Sequence, residues 1–319
     1  MKASILIPAF NAAALIEATL ESCVQQGEAF IHEIIVIDDQ STDGTVDIVK
    51  AFANQHPTIG ISVETNPQKG ACSARNHAFR QSTGEAIQWL DADDLLGAGK
   101  LEAQLKLLKD HPNHLIASKW RRFTGTLEQL FPEESGAWSA VPYESSPLEW
   151  LSSERMMIPA GWLGARDVFQ QTGAWDESLL INQDGEYFTR AIAAAEGVIF
   201  EPETRVYYRS GIQGSVSHFS PSKAPSLYQS IESFEKVALA LGDPDKVGRI
   251  IANKYQGFLY RVYPLVPELR QKARNKIQQY GPSDRANDIA ESPIARGICA
   301  LFGWKFLVQL RLLRSKLSS

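Results

Sequence analysis

The chain has 319 residues, of which 44% are hydrophobic and 22% are charged, and its formal net charge is −5. This balance is typical of a globular protein with a sizeable core, in one large domain with appendages or in two domains. The negative net charge argues against a nucleic-acid-binding protein, which is normally basic. Its three cysteines lie far apart, which fits neither a disulfide framework nor a zinc site and indicates a reducing compartment.

The first residues do not have the pattern of a signal peptide or of a membrane span. Their apolar run over residues 4–7 is short, is preceded by a single lysine and is broken at Pro8. We therefore expect the bulk of the protein to be cytoplasmic.

Strands and helices alternate through the first part of the chain. A buried strand over residues 4–7 ends at Pro8, and Asn11 can cap the helix that follows. A second strand over residues 33–37 is rich in β-branched side chains and too apolar to be half exposed. The next predicted elements are a helix beginning at Ser41 or Thr42, a strand over 59–64, a helix over 69–83 and a strand over 85–90.

This alternation predicts an α/β fold with a mostly parallel sheet and helices on both faces. Ligands of such sheets bind at the carboxyl ends of the strands. Two acidic clusters follow predicted strands, Asp38-Asp39 after the second and residues 91–94 after the fourth. We therefore expect both clusters to face one crevice.

The later part of the chain is less regular. Residues 120–144 are rich in Gly, Pro, Glu and aromatics, which suggests a hairpin or a mobile insertion. Other predicted elements are helices over 101–109, 148–151, 167–172 and 184–195, strands over 115–118, 198–200 and 206–208, and then helices alone over 227–241, 246–263 and 268–280. These patterns predict an α/β domain over residues 1–215, to which the resemblance given below assigns catalysis, and a helical C-terminal region over residues 216–319.

Three carboxylates, those of Asp91, Asp93 and Asp94, follow the fourth predicted strand within four residues. Their mutual repulsion favours protonation or a bound cation, and hard ions such as Mg²⁺ or Mn²⁺ prefer oxygen ligands. The alternative is a solvated acidic turn that caps the following helix.

Four blocks in this order and spacing resemble the family 2 glycosyltransferases, inverting enzymes with the Rossmann-like GT-A fold. The blocks are residues 4–11, 36–45, 90–94 and 182–188, and the resemblance covers about residues 1–215. It implies transfer of a hexosyl group from a nucleotide sugar, a UDP-sugar in our expectation, to an acceptor hydroxyl. Beyond residue 220 we find no family pattern.

The resemblance assigns donor-binding roles to five residues. It implies that Pro8, Ala9 and Asn11 form part of the base and ribose pocket and that Asp39 accepts a hydrogen bond from the uracil N–H, a task that suits a charged acceptor. Arg75 matches a family position near the donor, with a surface charge as the alternative. The neighbouring acid, Asp38, can instead cap its own loop.

The resemblance also implies a divalent metal, Mn²⁺ or Mg²⁺, that neutralises the charge of the departing nucleotide. Asp93 is expected to coordinate the metal directly, and Asp91 to bind the ribose or a metal-bound water. Asp94 is expected to be a structural cap. His218 could add a metal ligand or close over the diphosphate, with a solvated loop histidine as the alternative.

Asp184 matches the general base of the family, which removes the proton of the acceptor hydroxyl; the alternative is that Asp184 only caps its helix. The resemblance places Trp162 and the preceding Pro159-Ala160-Gly161 on the acceptor side, although a buried tryptophan is more often a core residue. Glu186 could orient the acceptor or be polar surface.

Residues 296–317 combine an apolar stretch, including Trp304 and Phe306, with Lys and Arg at its edges. This composition fits a helix lying in a membrane interface. The alternative is a helix docked on the helical region or on a second subunit in a homo-oligomer. A contact with the inner face of the membrane would suit an enzyme that acts on lipid-linked or surface glycans.

Two other functions stay open at this point. A nucleotidyltransferase on a similar sheet would be expected to have a Gly-rich basic loop near the N-terminus, and residues 9–14 contain neither Lys nor Arg. A non-catalytic protein that binds nucleotide sugars or glycans could keep the fold without the chemistry, but the intact acids at positions 39, 91, 93 and 184 argue against it.

Overall fold

We describe a computed structural model of the chain, which covers residues 1–132, 138–211, 219–285, 288–290 and 292–317. The chain divides into two compact units. The first unit consists of residues 1–178 and 183–215, and the second of residues 179–182 and 216–319.

The first unit is built on one mixed sheet, and the described residues contribute nine strands to it. The strands are β1 (Ala3–Ala9), β2 (Ile31–Asp38), β3 (Ile61–Thr65), β4 (Ala86–Trp89), β5 (Leu95–Leu96), β6 (Leu115–Phe123), β7 (Glu144–Ser145), β8 (Trp162–Ala165) and β9 (Val198–Arg209). Their order across the sheet is β3-β2-β1-β4-β8-β6-β9-β5, with β7 beside β9.

The first four strands form the parallel half that the sequence predicted. β1 lies between β2 and β4, and β2 lies between β1 and β3, all in parallel register. β1 and β2 are buried along nearly their whole length, as expected for strands covered on both faces. Because these strands run in one direction, the loops that follow them meet at one edge of the sheet.

The other half of the sheet is more mixed than the sequence predicted. β8 pairs antiparallel with β4 and β6, and the short strands β5 and β7 pair antiparallel with β9. β5, β7 and β8 were not predicted, because strands of two to four residues are too short for a hydrophobic period to be recognised.

β9 was predicted as two strands and is one, paired in parallel with β6. The register shifts opposite Ser118 and Lys119, and there the Glu201 carboxylate accepts hydrogen bonds from the backbone N–H groups of Glu203 and Thr204 at 2.7 and 2.9 Å. This local turn interrupts the alternation of side chains, which is why the sequence pattern suggested two short strands.

Seven helices of the first unit lie within the described residues. They are α1 (Ile16–Val24), α2 (Thr45–Gln55), α3 (Ala71–Gln81), α4 (Lys100–Asp110), α5 (Pro147–Ser152), α6 (Arg166–Thr172) and α7 (Gln183–Ala194). Two cap predictions were wrong, because α1 begins after Leu15 rather than at Asn11, and α2 begins after Gly44 rather than at Ser41 or Thr42.

Aromatic side chains pack the first unit around Trp89, at the end of β4. Its ring meets those of Phe169, Trp175 and Tyr187 edge to face at 5.3–5.9 Å between ring centroids, and Trp175 stacks on Tyr187 at 3.9 Å. Such pairs contribute about 0.5–1.5 kcal/mol each beyond the area they bury. The cluster therefore fastens the start of α7 and the loop before it to the end of β4.

A lysine lies fully buried beneath the sheet. The Lys100 ammonium donates to the side-chain carbonyl oxygens of Gln88 and Gln104, both at 2.5 Å, and Gln88 and Gln104 donate in turn to backbone carbonyls. Burial lowers the pKa of Lys100 to about 7, although the Glu201 charge opposes the shift.

This burial predicts a specific pH dependence of stability. Between about pH 7 and the unfolded-state pKa of about 10.4, the unfolded chain binds a proton at Lys100 that the native state lacks, so the free energy of unfolding should rise with pH. In Lys100→Met that part of the rise should vanish in urea titrations across this range. Lys106→Met, at an exposed position of the same helix, is the control, and equal slopes in the two variants would contradict the prediction.

The second unit is helical throughout its described residues. Its helices are α8 (Ala224–Ala240), α9 (Pro244–Val262), α10 (Pro267–Tyr280), α11 (Pro293–Phe302) and α12 (Trp304–Leu317). The buried Glu235 carboxylate of α8 accepts hydrogen bonds from Tyr255, Lys276 and Tyr280 at 2.5–2.6 Å, which joins α8 to α9 and α10. Although burial alone would raise it, these donors lower the pKa of Glu235.

The C-terminal tail is two helices rather than the single one expected over residues 296–317. Gly303, with φ +76°, ends α11, and its N–H donates to the carbonyl of Cys299 at 2.9 Å. The tail is fastened through Trp304, whose ring meets those of Tyr260 and Tyr263 at 4.9 and 5.3 Å. Within the described part of the chain, no helix has both the length and the apolar character needed to cross a membrane.

Candidate active site

The loops after the parallel strands are tied together by backbone hydrogen bonds. The Asp39 N–H donates to the carbonyl of Ala9 at 2.7 Å, and the Asn66 N–H donates to the carbonyl of Asp38 at 2.7 Å. The ends of β1, β2 and β3 are therefore held in register at one edge of the sheet. Pro8 is half-buried and Ala9 is 2% exposed, so any ligand would meet the backbone there rather than these side chains.

Asn11 joins the loop after β1 to the loop after β2 instead of capping a helix. Its side-chain oxygen accepts from the Thr42 N–H, and its own N–H donates to the Ser41 hydroxyl, both at 2.8 Å. Asp43 accepts from the Ala13 N–H at 3.1 Å in the same way. These contacts use the polar side chains between the two loops, which explains why they do not begin α1 and α2.

Asp39 holds the segment that leads into α3. Its Oδ1 atom accepts from the Asn66 side chain and the Gly70 N–H, both at 2.8 Å, and Oδ2 accepts from the Gly70 N–H at 3.0 Å. A carboxylate has about four acceptor positions, so Asp39 keeps capacity for a further donor. Gly70 has φ +138°, which side-chain-bearing residues rarely adopt.

Asp38 caps its own loop, which is the role that the sequence analysis suggested for it. Its Oδ2 atom accepts from the Ser41 N–H at 3.1 Å and so caps the loop after β2. His218 lies outside the described residues, so the prediction for it stays a prediction.

Phe10 and Lys69 were missed by the sequence analysis. The Phe10 ring is 50% exposed directly after β1, and the Lys69 ammonium lies 5.0 Å from its centroid. A large aromatic residue directly after a predicted buried strand is the sequence signal that could have identified Phe10. Lys69 precedes the Gly70 that Asp39 binds, so the two side chains belong to the same edge as the predicted donor residues.

The acidic segment after β4 is fixed from both sides. The Asp94 Oδ1 atom accepts from the Arg209 N–H, and the Arg209 guanidinium donates to the carbonyl of Asp93, both at 2.9 Å. The Thr19 hydroxyl donates to the carbonyl of Ala92 at 2.9 Å. Asp94 is therefore a buried structural residue, but it accepts from the end of β9 rather than capping the turn that follows it. Arg209 had no recognisable signal in the sequence.

The three carboxylates of this segment have different environments. Burial, together with the Asp91 charge, raises the pKa of Asp93 to about 6, and burial raises the pKa of Asp94 well above its ordinary value. Within the described part of the chain, the Asp93 carboxylate receives no hydrogen bond from another residue, and Asp94 Oδ2 is buried without a partner.

Asp93 and Asp91 fit a hard divalent cation, because they present carboxylate oxygens whose mutual repulsion a cation would relieve. Among the described residues, no three His, Cys, Asp or Glu side chains come together as a complete metal cage. A metal held here would take its other ligands from the substrate diphosphate and from water.

Arg75 contacts three other residues of the candidate site. From α3 its guanidinium donates to Asp91 at 2.7 Å, reaches the Gln183 side-chain oxygen at 3.5 Å and lies 4.6 Å from the centre of the Trp175 ring. It is 8% exposed, which contradicts the surface-charge alternative. Burial opposes its charge, yet the Asp91 carboxylate keeps the pKa of Arg75 above its ordinary value.

Asp184 lies in the first turn of α7, next to the Gln183 that Arg75 approaches. Its side chain is partly buried. Burial raises the pKa of Asp184, and the Asp91 charge adds to the rise, while the Gly185 N–H and Arg75 oppose it. A carboxylate whose pKa is raised in this way is suited to accepting a proton near neutral pH, as the prediction of a general base requires.

Glu186 is neither polar surface nor open to a ligand. It is 4% exposed, and both of its oxygens accept from Arg190, at 2.7 and 2.8 Å. Arg190 also donates to the backbone carbonyls of Thr172 and Ala174. Glu186 therefore orients the arginine that fastens the turn after α6.

The Trp162 side chain is a core residue in this structure. It is 1% exposed, stacks on Phe188 at 5.5 Å between centroids and meets Trp150 edge to face at 5.4 Å. No ring face is open to a sugar, so a contact with the acceptor would require these side chains to move. The preceding turn, Pro159–Gly161, is buried as well.

The residues that build this edge of the sheet match a known protein family. The model of the glycosyl transferase family 2 matches residues 4–173, which include β1 to β4 and the acidic segment. The chain belongs to glycosyl transferase family 2.

Two curated relatives illustrate the range of similarity. WfgD of Escherichia coli, named UDP-Glc:alpha-D-GlcNAc-diphosphoundecaprenol beta-1,3-glucosyltransferase, is 38% identical over 106 residues, which are 33% of this chain and 40% of WfgD. TarS of Staphylococcus aureus strain MW2, a poly(ribitol-phosphate) beta-N-acetylglucosaminyltransferase, is 28% identical over 244 residues, 74% of this chain and 39% of TarS. The aligned region thus spans about two fifths of each of these relatives.

Solved structures support the fold. Residues 1–349 of S. aureus TarS in complex with UDP-GlcNAc superpose with a TM-score of 0.70 at 18% identity, covering 88% of this chain and 80% of that one. A mannosyltransferase of Pyrobaculum calidifontis in complex with GDP-Man and Mn²⁺ gives a TM-score of 0.57 at 20% identity, covering 94% and 78%. Together with the family match, this likeness confirms the predicted GT-A fold.

We expect Arg75 and Asp91 to stabilise the fold as a pair. Arg75→Met or Asp91→Asn should each lower the free energy of unfolding by about 1–3 kcal/mol, since each leaves a charge without its hydrogen-bonded partner at a side chain that is 10% (Arg75) or 29% (Asp91) exposed. The double variant should lose less than the sum of the two. A double-mutant cycle in urea measures the coupling, and a value near zero would mean that the two charges are solvated separately.

The roles of Glu186 and Asp184 can be separated by stability measurements. Glu186→Gln should lower the free energy of unfolding by about 1–3 kcal/mol, because the salt bridge to Arg190 is lost. Asp184→Asn should leave it unchanged or raise it, since it removes a carboxylate whose ionisation burial disfavours. The prediction is wrong if Glu186→Gln unfolds at the wild-type urea concentration.

Proposed function

We propose that this protein is a metal-dependent inverting glycosyltransferase that transfers a sugar from a UDP-sugar to an acceptor hydroxyl. The observation that carries the proposal is the position of Arg75. One buried guanidinium reaches both Asp91 of the acidic segment and Gln183, the residue before Asp184. The acidic segment assigned to the donor and the residue that precedes the assigned base are therefore linked through a single side chain.

The donor would occupy the edge formed by the loops after β1, β2 and β4. Asp39 keeps acceptor capacity for a base N–H, and the exposed Phe10 ring is suited to stacking on a base. UDP as the nucleotide is supported by the names of relatives, since WfgD is described as using UDP-Glc and a TarS structure contains UDP-GlcNAc.

Asp93 would hold the divalent metal, with Asp91 acting through a metal-bound water or on the ribose. Bound there, Mn²⁺ or Mg²⁺ would neutralise the charge of the leaving diphosphate. The lone carboxylate of Asp93 and the nearby Asp91 charge support this assignment. Arg75 balances the charge of Asp91, which leaves Asp93 as the carboxylate available to the cation.

Asp184 would act as the general base. Its carboxylate would take the proton of the acceptor hydroxyl while that oxygen forms a bond to the anomeric carbon. The bond from this carbon to the diphosphate oxygen would break at the same time, and its electron pair would leave with the nucleotide. Attack and departure on opposite faces invert the anomeric configuration.

The acceptor is proposed only as a class, a hydroxyl of a glycan, of a lipid-linked saccharide or of a polyol-phosphate polymer. This class rests on the names of WfgD and TarS, whose acceptors are a diphosphoundecaprenol-linked sugar and poly(ribitol phosphate). The expected homo-oligomer and the expected location at the inner face of the membrane stay predictions.

Asp184→Asn should lower the transfer rate by roughly 100-fold or more and leave UDP-sugar binding unchanged, because it removes only the proton acceptor. In the wild type the rate should rise with pH and level off above the raised pKa of Asp184, since only the carboxylate form accepts a proton. The control is Asp167→Asn, which changes an exposed acid in the first turn of α6. Full transfer by Asp184→Asn would exclude Asp184 as the base.

Asp93→Asn tests the metal independently of turnover. UDP with Mn²⁺ should raise the melting temperature of the wild type more than UDP alone, because ligands that bind only the native state stabilise it. In Asp93→Asn the extra shift due to Mn²⁺ should be lost. If Mn²⁺-dependent binding is intact but neither the wild type nor Asp184→Asn transfers or hydrolyses any UDP-sugar, the protein is the non-catalytic binding protein instead.

A further inference from the structure

The two tail helices expose an apolar surface of unusual density. Its members are large side chains at least 38% exposed, and we call them the tail face: Ile294, Leu301 and Phe302 of α11, and Phe306, Leu310 and Leu313 of α12. Soluble proteins rarely expose such side chains in a contiguous group without a partner or a membrane to cover them.

The tail face is continuous across the break at Gly303. The rings of Phe302 and Phe306 meet there at 5.0 Å between centroids. On α12 the exposed apolar residues recur at i, i+4 and i+7 from Phe306, and on α11 they recur at i, i+7 and i+8 from Ile294, so each set occupies one side of its helix.

The opposite side of α12 is already occupied by the second unit itself. Leu307 and Val308 are buried, and Trp304 packs on Tyr260 and Tyr263. Gln309 donates to the Tyr263 hydroxyl at 3.1 Å. The tail is thus docked by one side and presents the tail face outward from its own unit.

The charged residues of the C-terminal tail are all basic. Residues 293–319 contain five of the chain's 32 Lys and Arg residues and none of its 37 Asp and Glu residues. Lys305 and Arg314 are exposed and flank the tail face on α12, whereas Arg296 and Arg311 lie toward the other sides of their helices, and Arg311 donates to the carbonyl of Ile289 at 3.0 Å. In an otherwise acidic chain, this combination of apolar and basic side chains is complementary to a surface with a hydrocarbon interior and negative headgroups.

We propose that the tail face docks on a lipid bilayer that contains anionic headgroups. The six apolar side chains enter the boundary between headgroups and acyl chains, and Lys305 and Arg314 at the edges of the tail face contact the lipid phosphates. A second copy of the chain is a poorer partner, since a two-fold symmetric contact through the tail face would bring two sets of basic side chains together. This docking requires neither a donor nor the catalytic residues of the first unit.

The test is cosedimentation of the full chain with vesicles, in the absence of nucleotide sugar. Vesicles of phosphatidylcholine alone are compared with vesicles that also contain phosphatidylglycerol. We expect binding to the phosphatidylglycerol vesicles, weakening as salt is added because the ionic contacts are screened. Lack of binding to either vesicle, or equal binding to both, would overturn the proposal.

Two sets of variants, each with a control on α8, assign the binding to the tail face. Leu301→Ser combined with Leu313→Ser should reduce vesicle partitioning at least tenfold, while Leu239→Ser, at a half-exposed leucine of α8, should not. Lys305→Glu should reduce it about 30-fold, because two unit charges change, while Lys236→Glu on α8 should change it far less.

Sedimentation velocity without lipid tests whether a second copy of the chain, rather than a bilayer, covers the tail face. We expect the wild type and the Leu301→Ser/Leu313→Ser variant to have the same oligomeric state, and their melting temperatures should agree because both changes are at exposed positions. A wild-type dimer that the double variant converts to a monomer, with no vesicle binding by either, would make the tail face a subunit interface and overturn the proposal.

Discussion

The ion pair between Arg75 and Asp91 is the interaction on which the candidate site depends. Without a partner, the negative charge of Asp91 would act on Asp93 and Asp94, whose carboxyl pKa values are already raised. The guanidinium at 2.7 Å balances that charge and, by reaching Gln183, brings the start of α7 to the same place. A planar side chain with five donors is suited to serve both neighbours and the Trp175 ring at once.

The position of Arg75 depends in turn on an acid of another strand. Asp39, at the end of β2, binds the Gly70 N–H directly before α3, and α3 carries Arg75. Asn76 on the same helix is held by the backbone of Trp175, with hydrogen bonds of 2.8 and 3.0 Å to its N–H and carbonyl. A substitution of Asp39 would therefore be expected to shift α3 and the Arg75 side chain that pairs with Asp91, although the two carboxylates follow different strands. This chain of contacts makes the edge of the sheet one structural unit.

The sequence predicted the parallel half of the sheet well and the antiparallel half poorly. β1 and β2 have long apolar runs, and local pattern is sufficient for such elements, although β1 continues through Pro8 to Ala9 in register with β2 instead of ending at Pro8 as predicted. β5, β7 and β8 each have at most four residues, and β9 contains a turn at Glu201 that divides its pattern. The tail shows the same limit, since one glycine at φ +76° converts an expected single helix into two.

The amino-acid sequence by itself determined which acids follow which strands, because strand order is a local property: Asp39, Asp91 and Asp93 follow predicted strands, and the family resemblance added Asp184. Only the tertiary structure decided what each polar group is free to do. Glu186 and Trp162 have the residue types of ligand-binding side chains, but Arg190 takes both oxygens of the first and the aromatic core buries the second. Whether a polar or aromatic group has spare bonding capacity depends on partners distant in the chain, and those partners meet only when the sheet has formed.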